Sequence, residues 1–71
     1  LEKKNKYGVK YVVESQPINI QKRLVDSYNV SYGVCSLKKF LTKKEAMSYI
    51  RTLKRRDVDD EVVYLTINYR G

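Results

Sequence analysis

Seventy-one residues restrict this chain to one small domain, near the lower size limit for folding alone, and exclude a thick multilayer core. A hydrophobic share of 42% supports one thin core and argues against general disorder. The formal net charge of +7 points to an anionic partner, while the absence of histidine removes the commonest general base and metal ligand.

The chain opens at Leu1 rather than Met, which fits a piece of a longer protein or a cloning scar. Residues 1–6, LEKKNK, are polar and basic and read as a flexible arm, leaving residues 7–71 as a single domain. YGVKYVVE then alternates: Tyr7, Val9, Tyr11 and Val13 share one face, and Gly8, Lys10, Val12 and Glu14 the other. That is the pattern of a half-buried strand.

Pro17 interrupts it, because proline cannot donate to a ladder and constrains Gln16. Residues 18–25, INIQKRLV, are read as a second strand. A helix capped by Ser15 with Pro17 in its first turn is the competing reading. DSYN supplies turn residues, and VSYGVCSL is read as a third strand with a bulge or close approach at Gly33.

The helix is the clearest element. Thr42 and Glu45 form an S/T-x-x-E capping box, Leu41 and Ala46 occupy the staple positions, and Ala46, Tyr49, Ile50 and Leu53 form an apolar stripe. The spacing predicts a helix over residues 43–56. DVDDE ends it and reverses the charge. Residues 1–56 carry fourteen Lys or Arg against four acids, and residues 57–71 one Arg against four acids. EVVYLTINYR then alternates again, Val63, Leu65, Ile67 and Tyr69 on one face and Tyr64, Thr66, Asn68 and Arg70 on the other. The order β-β-β-α-β implies a two-layer α+β domain, an antiparallel sheet of three to four strands on one helix. Lys10, Asn19, Gln21, Arg23, Tyr64, Thr66, Asn68 and Arg70 would show on its open face.

An enzyme is not expected, and neither is a cofactor. Cys35 has no histidine to activate it and reads as a small core or interface residue. The four acids of residues 57–61 lack the loop length and glycine of a calcium hand, so no metal site is expected. A single cysteine excludes an internal disulfide and fits a reducing, cytoplasmic compartment. No apolar run reaches membrane-spanning length, and no stretch reads as a secretory signal.

The binding signal is cationic. Eight of the nineteen residues from Lys38 to Arg56 are Lys or Arg, and Glu45 is the one acid among them. On a helical wheel Lys43, Lys44, Arg51, Lys54 and Arg55 share one arc opposite the apolar stripe, with Lys38 and Lys39 just before the cap. A solvated helix face normally mixes signs to gain i,i+4 pairs. Two binding modes follow for DNA or RNA. Lys38, Lys39, Lys43, Lys44, Arg51 and Arg55 neutralise phosphates from the helix side, or Lys10, Lys22 and Arg23 contact a duplex from the open sheet face, with the side chains there reading the major groove. The competing class is a protein-interaction domain or inhibitor, docking on an acidic partner or, where its terminal strand lies at a sheet edge, pairing that strand with a partner strand. The oligomeric state is left open.

KKFLTKKEAMSYIRTLK resembles the GF-x-TKKEA segment in the arm-type DNA-binding domains of phage and transposon tyrosine recombinases. Phe40 and Thr42 through Ala46 match that motif, and YGVKYVVE stands where the family's first strand would be. The resemblance implies a three-stranded sheet against one helix, with the sheet inserted in the major groove. The chain departs from the family in the added EVVYLTINYR, in a longer connection over residues 15–29, and in Lys39 where the family has glycine.

Overall fold

The computed structural model describes residues 2–15 and 24–70. It contains strands β1 (Glu2–Lys4), β2 (Lys10–Val13), β3 (Val25–Tyr32) and β4 (Cys35–Phe40), helix α1 (Lys43–Thr52), a 3-10 turn (Arg55–Val58) and strand β5 (Val63–Tyr69). The α+β class and the single helix packed on a sheet are as the residue pattern implies. The sheet itself is larger and mixed. It has five strands in the order β1-β2-β5-β3-β4, antiparallel except where β2 runs parallel to β5.

Three elements differ from the sequence expectation. Glu2–Lys4 is an edge strand paired with β2, not an arm outside the domain. DSYN lies inside β3 rather than in a turn, and VSYGVCSL is not one strand, since the chain reverses within it at Gly33 and Val34. Gly33 has φ +53 and sits first in this two-residue connection, the position where a II′-type hairpin requires glycine. The reading of residues 18–23 as strand or helix lies outside the described residues.

β5 is the central strand of the sheet, and its residues alternate cleanly between the two faces. Val63, Leu65 and Ile67 are buried against the helix side, while Tyr64 faces the other way. β2 and β3 pair on its two edges, so both flanking ladders are satisfied. Where β2 ends, the Glu14 N–H donates to the Leu65 carbonyl at 3.0 Å, and the Glu14 carboxylate accepts the Ile67 N–H at 3.2 Å. A side chain thus continues the ladder past the last strand residue.

The core is one cluster: Val9, Val30, Ala46, Ile50, Leu53, Val58, Val63 and Leu65. Tyr11, Tyr28, Tyr32, Tyr49 and Phe40 ring it, half-buried. This explains the tyrosine excess, since an amphipathic ring can close a thin core while keeping its hydroxyl near water.

Helix α1 begins at Thr42, whose hydroxyl accepts the Glu45 N–H at 3.2 Å. The same hydroxyl donates to the Glu45 carboxylate at 2.9 Å, so the reciprocal bond of the box runs to the side chain. Leu41 is 78% exposed, and the expected staple with Ala46 is absent. The helix stops at Thr52, earlier than residue 56, because Leu53 is extended and turns its side chain into the core. The Asn5 amide closes this end by donating to the Ile50 and Leu53 carbonyls, each at 2.8 Å.

Candidate nucleic-acid interface

The early helix stop splits the expected cationic arc. Lys43, Lys44 and Arg51 are exposed on α1, but Lys54 and Arg55 belong to the next turn. The Lys54 ammonium lies 5.8 Å from the centre of the Tyr7 ring. Arg55 Nε donates to Asp60 Oδ1 at 2.6 Å, with both side chains about two-thirds exposed, at 66% and 64%. An exposed pair like this contributes about 1 kcal/mol at most, yet it offsets the charge of Arg55 locally. Asp57 also has a structural partner: its carboxylate accepts the Lys54 N–H at 2.9 Å. Among the described residues no group of three or more His, Cys, Asp or Glu is placed to hold a metal ion.

The remaining cations converge on the β4–α1 side. β4 is an edge strand, so its two faces look to opposite sides of the domain and its free edge to solvent. Lys38 pairs with buried Val30 and therefore projects on the helix side. Its ammonium sits 5.4 Å from the Phe40 ring centre and 6.0 Å from that of Tyr49. The two rings are 5.3 Å apart and tilted by 48°. Lys39 pairs with Asn29 and projects on the open face. Lys43, Lys44 and Arg51 follow on the adjoining helix. Among the described residues none of these five cations forms an ion pair. Glu45, the one acid in that stretch, is held by Thr42.

Lys10 lies apart, at the start of β2 on the far side of the sheet. Lys22 and Arg23 lie outside the described residues, as do Asn19 and Gln21. The sequence did not single out Lys4, which stands directly opposite Lys10 across the β1–β2 ladder. The turn signal between those strands, Asn5 with Gly8 three residues on, was the available clue. Lys4, Lys10 and Arg55 line a cleft of about 250 Å³ with Gly8, Asp60 and Glu61.

Two other expectations are revised. Cys35 is exposed at the hairpin end of β4, which removes the core half of the core-or-interface reading. Partial burial raises the neighbouring Tyr32 phenol above its usual range, assisted by Cys35 and the carboxylates of Asp59 and Glu61. The C-terminal strand is central, so it offers no free edge to a partner; the free edges belong to β1 and β4. Among the described residues no helix is long and apolar enough to cross a membrane. No family model, curated protein or solved structure matches the chain.

Proposed function

We propose that this domain binds nucleic acid, gripping phosphates with the β4–α1 surface. The observation that carries the reading is the run Lys38, Lys39, Lys43, Lys44 and Arg51, five exposed cations with no ion pair among the described residues. Each phosphate they neutralise releases condensed counterions, which rewards a cluster of cations without ion pairs. Lys38 and Lys39 bridge the two sides of the domain, so a duplex lying along the β4 edge meets the helix cations and Lys39 together. Arg55, paired with Asp60, contributes less than its place in the sequence implies. The recombinase-arm resemblance agrees with a double-stranded DNA target.

The test is fluorescence anisotropy of a labelled mixed-sequence duplex between about 50 and 200 mM salt. Replacing Lys43, Lys44 and Arg51 together by Gln is expected to weaken binding and lower the logarithmic salt slope by about 3. Unchanged affinity and slope in that variant would remove the β4–α1 surface from the reading.

The free β4 edge favours a second reading, strand addition by an acidic protein segment. The bulge between Val30 and Ser31 and the two lysines discourage a neutral strand there. An acidic peptide displacing the duplex, with backbone amide shifts confined to β4, would favour it.

A further inference from the structure

We infer that the open face of the sheet is a platform for a single strand of nucleic acid, with Tyr64 as the stacking ring. The inference rests on the nucleic-acid reading above and names the form of the ligand.

Geometry comes first. Five strands at about 4.8 Å spacing make a face about 19 Å wide. The major groove is about 12 Å wide and takes a helix or a two-stranded ribbon, so this face does not fit flat inside it. A single strand has no such restriction and lies across flat sheets with its bases splayed. None of the described elements covers this side, since α1 packs on the other.

Chemistry comes second. Tyr64 stands on the central strand, 47% exposed, on the face that α1 leaves uncovered. Its lateral neighbours are Val12 on β2 and Ser31 on β3, both small enough to leave the ring face open. Next along the strands come Thr66 and its partner Asn29, which offer hydrogen-bonding groups to base edges.

Charge comes third. Lys4 and Lys10 face each other at one side of the platform, and Lys39 stands at the other. Like charges directly opposed across a ladder are unfavourable until an anion lies between them. Among the paired positions on this face the carboxylate is Glu2, at the outer edge of β1, and the cleft beside Lys4 and Lys10 also holds Asp60 and Glu61. The sequence Lys4/Lys10, Tyr64, Thr66/Asn29, Lys39 is therefore a diagonal path with phosphate contacts at its two ends and a stacking ring between.

The experiment compares a labelled oligothymidine of about eight nucleotides with a labelled duplex, using wild type, Tyr64→Leu and Tyr64→Phe at low salt. Tyr64→Leu keeps an apolar side chain on a strand and removes the π face. It is expected to weaken single-strand binding about tenfold and leave duplex binding unchanged, with Tyr64→Phe close to wild type. Equal single-strand affinity for wild type and Tyr64→Leu would overturn the inference. If the duplex still binds in that case through Lys43, Lys44 and Arg51, the nucleic-acid reading survives without it. Failure of wild type to bind either probe would overturn both.

Discussion

The Asn5 side-chain amide donates to the Leu53 carbonyl at 2.8 Å, and so ties the β1–β2 turn to the end of α1. The same amide serves the Ile50 carbonyl, while Oδ1 accepts the N–H groups of Tyr7 and Val9, each at 2.9 Å. One side chain thereby shapes a turn and caps a helix forty-eight residues away. Asn5→Ala is expected to lower stability by about 2–3 kcal/mol, with the m-value of urea unfolding unchanged. Asn5→Asp keeps the acceptors but turns a carboxylate toward two carbonyls. At neutral pH it should be at least as destabilising as alanine.

The helix start is a second test. Thr42→Ala removes the hydroxyl that both caps Glu45 and holds its carboxylate, and is expected to lower stability by about 1 kcal/mol. Leu41→Ser should change it by less than about 0.5 kcal/mol, because Leu41 staples nothing. Paired thermal melts compare the two directly.

The Lys4–Lys10 opposition predicts a gain on substitution. Lys4→Glu places opposite charges across the ladder and should stabilise the fold by about 0.2–1 kcal/mol. That gain should fade in about 1 M salt, where the screening length falls to about 3 Å. The same variant should bind oligothymidine more weakly than wild type, separating folding from binding in one molecule.

Two glycines have positive φ for different surroundings. At Gly8, φ +83, an added Cβ would sit 3.5 Å from Arg55 Cδ, an ordinary contact. At Gly33, φ +53, it would come 2.6 Å from the Glu61 carboxylate oxygen. Gly8→Ala and Gly33→Ala should each lose about 1 kcal/mol from backbone strain, and Gly33→Ala should lose more because its Cβ also meets Glu61. Adding Glu61→Ala should recover part of the loss only for Gly33→Ala. Denaturant midpoints of the four variants are the readout.

Local chemistry made much of this domain readable from its residues. The period-two alternation of residues 63–69 and the 3.6-residue stripe through Ala46, Ile50 and Leu53 each declare a buried face without knowledge of a partner. The α+β class, the capping threonine and the cationic β4–α1 stretch follow from such short-range patterns. The edge strand Glu2–Lys4 did not, since three charged residues carry no periodicity and become a strand only by pairing with β2.

Tertiary structure decided which strands are central and where the charges stand. Parallel pairing of β2 with β5 joins residues some fifty positions apart, and no local spacing encodes it. That pairing, with β3 on the other side, buries the C-terminal strand in mid-sheet and leaves β1 and β4 as the edges. The helix end was likewise decided at a distance, by Asn5 and by the burial of Leu53. The sequence by itself determined the composition of the cationic surface. Only the folded sheet decided which of its members share a face, because side-chain direction in a sheet depends on register and neighbours rather than on residue type.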